Sequence, residues 1–193
     1  MCGRYFIETD AEEIIIKEIL DQVNAKYNGT PEQSEMRTGE IFPTNIVPVL
    51  TRKEPVLMKW GFPRFDGKGH IINARLETAA EKPMFRKSFD TMRCLVPASY
   101  YFEWETVGTK KQKYAIGTNE PIFMAGLYKY DSLLRLPLFV ILTRPAAQGI
   151  TFIHDRMPVI LPGDTHEKWL NDDGIHHQMT LNDSFEELNY SAV

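Results

Sequence analysis

The sequence predicts an α+β fold dominated by antiparallel strands with a few peripheral helices. Two observations carry this. From residue 93 onward the chain breaks into short apolar, aromatic-rich runs, "RCLVPASYYFEW", "QKYAIG", "PIFMAGLYKY", "LPLFVILT" and "MPVILP", each bounded by turn residues. Only one long stretch, near the N-terminus, has the three-to-four-residue apolar spacing of a helix. With 193 residues, 43% hydrophobic and 25% charged, the chain has room for a single domain spanning 1–193 with a sizeable core, and disorder is excluded.

The elements follow in order. "MCGRYFIE" reads as a strand. Thr9 and Glu12 have capping-box spacing ahead of Ile16, Ile19, Leu20 and Val23, so an amphipathic helix should run to Asn28-Gly29. Residues 30–44, punctuated by Pro31, Gly39 and Pro43, form a loop into the strand "NIVPVL". "PVLMKWGF" sets Val56, Met58 and Trp60 against Leu57 and Lys59, the alternation of a half-buried strand. A glycine- and charge-rich loop, "PRFDGKGH", leads to "HIINARLET", extended at Ile71-Ile72. A helix is expected beyond Pro83, where proline suits the first turn. The aromatic strands come next, then a short helix "THEKWL" capped through Asp164 and Glu167, and another helix in the tail "NDSFEELN".

Charge and cysteine content exclude several classes. A net charge of −4 and a pI near 5.8 argue against coating nucleic acid by bulk charge, while Arg4, Arg75, Arg86, Arg93, Arg144 and Arg156 leave room for a local basic groove. Cys2 and Cys94 are too few for a disulfide framework or a zinc site, and the adjacent pair His176-His177 lacks nearby cysteines, so no metal or cofactor is expected. No apolar run reaches a membrane span and no secretory signal is visible, so the expected location is the cytoplasm, without a membrane partner.

Four places carry polar residues suited to chemistry. If Met1 is removed, Cys2 presents an α-amine with pKa about 7.7–8.0 beside a thiol near 8.5. Such a pair condenses with an aldehyde, the amine forming an imine and the thiol closing a thiazolidine. In "NARLET", Asn73 could orient a reacting amine and Arg75 hold a phosphate; alternatively Asn73 satisfies backbone groups and Arg75 pairs with Glu77. In "YYFEW", Glu103 either faces solvent or faces inward, where burial makes it a candidate general acid and base. In "HDRMP", His154 is either a hydrogen-bonded core residue or part of a site with Asp155 and Arg156.

Taken together, "MCGRY", "WGF-P", "NARLET", "RCLVPASYYFEW", "AGLY" and "IHDRMPVILP" resemble, in order and from residue 2 to about 162, the SOS-response-associated peptidase (SRAP) family, which crosslinks abasic sites in single-stranded DNA. The resemblance implies a barrel-like core with a positively charged groove and a monomer whose partner is single-stranded DNA containing abasic sites. It makes Cys2 the nucleophile, Asn73 the amide beside its amine, Glu103 the acid and base, and His154 a second polar catalyst. The resemblance also implies peptidase activity, in the form of self-processing at Met1, and weak strand cleavage. Arg4, Arg75 and Arg156 match groove positions. The family has a further tryptophan where the nearest aromatic here is Phe65, the implied wedge beside the lesion. Two other functions remain open: a cysteine peptidase using Cys2 and His154, and a non-covalent single-strand-binding module.

Overall fold

Five strands close on themselves. The computed structural model describes residues 2–9, 14–132, 134–171, 184, 185 and 187–193. The first half contains β1 (Arg4–Ile7), α1 (Ile14–Lys26), α2 (Pro31–Glu35), β2 (Gly39–Ile41), β3 (Ile46–Leu50), β4 (Pro55–Trp60), β5 (Phe62–Pro63), β6 (His70–Ile71), β7 (Asn73–Arg75), α3 (Leu76–Ala79) and α4 (Pro83–Thr91). The second half contains β8 (Arg93–Val107), β9 (Lys110–Lys129), β10 (Leu138–Pro145), β11 (Arg156–Pro158), α5 (His166–Leu170) and β12 (Asn189–Ala192). The ring runs β9, β10, β4, β3, β8 and back to β9. Its pairs are antiparallel except for β10 with β4, so the core is a mixed barrel. Outside the ring, β1 and β2 extend it at β8, and β7 and β11 attach to β10.

The barrel is filled by one face of its strands. Val47, Val49, Met58, Trp60, Val96, Met124, Phe139 and Ile141 are buried inside together with Tyr5, Tyr101 and both cysteines. The opposite face of β8 to β10 packs beneath α4 and α5 through Leu95, Leu127, Val140, Phe85, Phe89 and Trp169. The stripe of α1 buries Ile16, Ile19, Leu20 and Val23. Leu57 departs from the expected half-buried alternation because Val23 covers it, giving β4 apolar contacts on both sides. Each such fully buried aliphatic side chain contributes about 1.5–3 kcal/mol.

Further differences have local causes. "QKYAIG" and "PIFMAGLYKY" form one long strand, β9, because β8 pairs with both parts, with a register irregularity between Ala98 and Tyr100. Helix forms earlier than Pro83, at α3, while Pro83 takes the first turn of α4. Thr165 flanks α5 without a side-chain capping bond; its hydroxyl donates instead to the Pro162 carbonyl at 2.7 Å. In place of a tail helix, Ser184, Phe185, Glu187 and Leu188 are irregular and Asn189–Ala192 is a strand on β9. The Thr9 and Glu12 capping box depends on Glu12, and His176-His177 also lies outside the described residues. No described helix is long and apolar enough to cross a membrane.

Candidate active site

The irregularity in β8 positions the site. Beyond it, Tyr101 and Glu103 point inward two residues apart, and β1 lies alongside with Tyr5 opposite Tyr101. A bulge of this kind bends a strand and re-aims its side chains. Ser99, at the bend, accepts a hydrogen bond from the Glu8 backbone N–H at 2.9 Å and ties down the end of β1. The N-terminal segment therefore carries Cys2 into the barrel core, where it is fully buried.

Asn73 reaches the same place from another direction. The chain just before it is anchored at the Ile72 carbonyl, which accepts from Ile141 N–H and from Trp60 Nε1, both at 3.0 Å. Gly61, which follows Trp60, has φ +112°, and a Cβ there would lie 3.0 Å from the His70 Cβ, so this turn requires glycine. From β7, Asn73 Nδ2 donates to the Cys2 carbonyl at 2.9 Å. A carbonyl can only accept, which fixes the orientation of the amide. The amide thus holds the Cys2 carbonyl, and its own Oδ1 is buried without a hydrogen-bond partner among the described residues.

Of the two alternatives for Glu103, the structure takes the inward one, with 4% exposure. Burial pushes the Cys2 thiol well above its ordinary range, and the nearby Glu103 carboxylate pushes it further. A thiol in this setting is protonated at neutral pH and needs a proton acceptor to react.

His154 precedes β11, which pairs with β10 next to the stretch paired with β7. Its Nδ1 lies 3.0 Å from the Arg156 backbone N–H and 2.8 Å from Asp155 Oδ1. One nitrogen cannot accept and donate at once. The backbone donor is fixed in β11 while Asp155 is largely exposed, so the neutral ring accepts from Arg156 and carries its proton on Nε2.

The arginines divide into three kinds. Arg156 is held by Glu77 in a two-pronged pair, with Nη2 to Oε2 at 2.9 Å, and also donates to the Thr143 carbonyl at 2.7 Å. Glu77 therefore belongs to Arg156. The Arg75 guanidinium is exposed and makes no hydrogen bond or ion pair among the described residues, although its charge adds weakly to that of Arg156 on Glu77. Arg4 lies over the rings of Phe42 and Trp104, at 4.4 and 5.3 Å, and pairs with Glu40 at 3.1 Å. Lys113 shares Glu40 at 2.9 Å and sits over Phe102. Arg93 and Arg144 are buried structural residues, Arg93 donating to the Phe89 and Trp169 carbonyls and Arg144 to Ser184. Phe65, 94% exposed, tops the loop between β5 and β6.

The structure thus joins Cys2, Asn73 and Glu103 and places His154 on the neighbouring strand system. Sequence reasoning missed Tyr5 and Tyr101 as neighbours of Cys2. The signal was available, since Tyr101 and Glu103 share a face by the period of a strand.

The family model described as SOS response associated peptidase (SRAP) matches residues 1–193. The abasic site processing protein YobE of Bacillus subtilis is 30% identical over 192 residues, covering 89% of this chain and 82% of the relative. The abasic site processing protein YedK of Escherichia coli is 31% identical over 179 residues, covering 88% and 79%. A crystal structure of a Bacteroides thetaiotaomicron protein, 26% identical, covers 100% of this chain and 92% of its own with a TM-score of 0.80.

Proposed function

The chain belongs to the SOS response associated peptidase (SRAP) family, and on that footing we propose that it captures abasic sites in single-stranded DNA covalently through the amine and thiol of Cys2. The observation that carries this proposal is the Asn73 amide on the Cys2 carbonyl with Glu103 buried close to the thiol. The names of the relatives, abasic site processing proteins, support the substrate class.

The chemistry follows from the groups present. The reaction requires Cys2 to be the first residue, so Met1 is removed beforehand, a step that fits the family's description as peptidases. In its protonated form Glu103 gives a proton to the ring oxygen of the abasic deoxyribose while the C1′ hydroxyl loses its own and the sugar opens to its C1′ aldehyde. The Cys2 amine adds to that aldehyde, and the proton lost from the C1′ hydroxyl departs with the carbinolamine hydroxyl as one water, leaving an iminium and the Glu103 carboxylate. The thiol then adds to C1′, the C=N pair moves onto nitrogen, and the thiol proton passes to the Glu103 carboxylate, closing the thiazolidine. Asn73 holds the Cys2 backbone so that amine and thiol approach one carbon. His154 Nε2–H steadies the freed sugar hydroxyl. The iminium also acidifies the C2′ hydrogens, so β-elimination and strand cleavage form the minor route.

Phosphates flanking the site would meet Arg75 and Arg4, and an exposed Phe65 can stack on a neighbouring base. Arg156, engaged by Glu77, contributes by shaping the wall that carries His154.

Denaturing gels of Met1-free protein with an abasic single-stranded oligonucleotide test the proposal. A retarded band is expected, lost in Cys2→Ala and after acetylation of the N-terminal amine. Survival of the band after acetylation would favour a thiol-only peptidase-like reaction. Retention of DNA by Cys2→Ala under native conditions, with no covalent band in the unmodified protein, would favour a non-covalent binding module.

A further inference from the structure

On the outer face of β1, β8 and β9 two cations share one carboxylate. The Cys2 thiol donates to the Arg4 carbonyl at 3.8 Å, and Arg4 lies directly opposite Phe102, the residue before Glu103. Because strand side chains alternate, Arg4 turns away from the side of Tyr5 and shares its own side with Phe102 and Trp104. Its guanidinium stands 4.4 Å from the Phe42 ring and 5.3 Å from that of Trp104, while the Lys113 ammonium, opposite Trp104 on β9, stands 3.6 Å over Phe102 and 5.9 Å from Trp104. The rings hold both cations at the surface, with side chains 39% and 24% exposed. Glu40, on β2, accepts through the same Oε1 from Arg4 Nη1 at 3.1 Å and from Lys113 Nζ at 2.9 Å. No other group accepts a hydrogen bond from either cation among the described residues, so most of the guanidinium fork and of the ammonium faces solvent. Burial works against the Glu40 charge, but the hydrogen bonds from Lys113 and Arg4 outweigh it and hold the carboxyl below its ordinary value, ionised at neutral pH. Two cations and one carboxylate leave one net positive charge on the cluster. An exposed ion pair adds little to stability, and the fold therefore gives little reason for this arrangement.

Resting on the capture of abasic single strands proposed above, we propose that Arg4 and Lys113 together form a phosphate site for the strand beside the lesion, and that Glu40 is its built-in competitor, occupying the cations where a phosphate would bind. A DNA phosphate offers what the Glu40 carboxylate offers, an anionic oxygen within reach of a guanidinium and an ammonium, and it offers it to donors that Glu40 leaves unused. The site adjoins the reacting centre, since Arg4 follows Cys2 by two residues and takes its thiol hydrogen bond on the backbone. Glu40 cancels one of the two positive charges, so the strand gains one phosphate contact fewer than the cations could supply. The consequence is selectivity for damage. An undamaged strand, which has no aldehyde, is held loosely and released, whereas an abasic strand needs only a brief stay because the covalent bond then retains it.

Binding to an undamaged single-stranded oligonucleotide isolates this site from the capture reaction. Anisotropy titrations over a range of salt concentrations compare the unmodified protein with Glu40→Gln, Lys113→Gln, the double variant and Glu54→Gln. The last removes the same charge elsewhere, from a carboxylate that pairs with Lys26 at 2.7 Å just before β4, toward the Leu95 end of β8. Glu40→Gln is expected to bind about three- to tenfold tighter at about 0.1 M salt and to steepen the slope of log affinity against log salt by about 0.7, the value of one added phosphate contact on a single strand. Adding Lys113→Gln should take that steepening back, and Glu54→Gln should bind as the unmodified protein does. Unchanged affinity and slope in Glu40→Gln, an equal gain in Glu54→Gln, a gain that survives in the double variant, or no binding by any of these proteins overturns the proposal. If Glu40→Gln does not fold, Lys113→Gln decides alone: a slope shallower by about 0.7 supports the site, and an unchanged slope overturns it. The denaturing gel with an abasic strand is scored separately. No covalent band from Met1-free protein, alongside the expected changes in slope, overturns the capture reaction and leaves the phosphate site standing.

Discussion

Cys2 and Cys94 are the two cysteines of the chain, both fully buried in the same core, and burial pushes both thiols above their ordinary range. Their surroundings differ. Cys94 stands in the barrel wall opposite Gly126, so close that a Cβ at Gly126 would lie 2.8 Å from its sulfur. Its carbonyl accepts from Trp169 Nε1 at 2.9 Å, and burial alone moves its thiol. Cys2 has its carbonyl held by the Asn73 amide and a carboxylate, Glu103, acting on its thiol. Burial therefore does not distinguish the two thiols; the neighbouring donor and acceptor do.

That contrast can be broken most severely at the sulfur itself. Cys2→Ala should abolish the covalent band on a denaturing gel, whereas Cys94→Ala should retain it. Equal loss in both would mean that the contrast between their surroundings is irrelevant to the reaction. The next effect is on the wall. Gly126→Ala forces a methyl group against Cys94 Sγ and the Val140 carbonyl, 3.1 Å away, and overpacking of this kind costs about 1–3 kcal/mol. Thermal unfolding should show it as a midpoint lower by roughly 2–4 °C per kcal/mol, with the rate of crosslinking below that midpoint unchanged.

Asn73→Ala acts on the other side of the comparison. Loss of its bond to the Cys2 carbonyl should lower stability by about 0.5–1.5 kcal/mol and slow crosslinking about tenfold, measured by timed quenching. A variant that is less stable but equally fast would reduce Asn73 to a structural tie. The smallest effect is expected at Glu77, whose carboxyl is held below its ordinary value first by the hydrogen bond from Arg156. A lowered folded pKa contributes stability above the unfolded value, near 4.5, and that contribution is lost as pH falls through the folded value. Melting curves of Glu77→Gln should therefore lie slightly below those of the unmodified protein at pH 6 and converge with them toward pH 3. The pair is partly exposed, which keeps the difference small.

Much of the fold was legible because it is written in short-range periods. The stripe Ile16, Ile19, Leu20 and Val23 predicted the buried face of α1, and Pro83 marked a first turn. Closure of the barrel was not legible from periodicity, since it depends on β9 pairing with both β8 and β10. The family resemblance supplied it instead. The tail misled because "NDSFEELN" has helical composition, whereas the edge of β9 offers unpaired backbone groups that Asn189–Ala192 satisfy as a strand. At the site, residue types pointed to Cys2, Asn73, Glu103 and His154, but the target of the Asn73 amide and the choice of Glu77 by Arg156 over Arg75 are three-dimensional facts. Tyr101 shows the limit most clearly. The alternation of β8 places it with Glu103, but only the fold places that face against Cys2.

The measurement that tests the central claim most directly is the intact mass of the product formed by Met1-free protein and an abasic single-stranded oligonucleotide, with and without borohydride. Capture through both amine and thiol predicts a mass equal to the two components less one water, no uptake of hydrogen from borohydride once closure is complete, and a Cys2 thiol no longer open to alkylation after unfolding. A product that gains two hydrogens and still offers the Cys2 thiol, or no product at all, would contradict it.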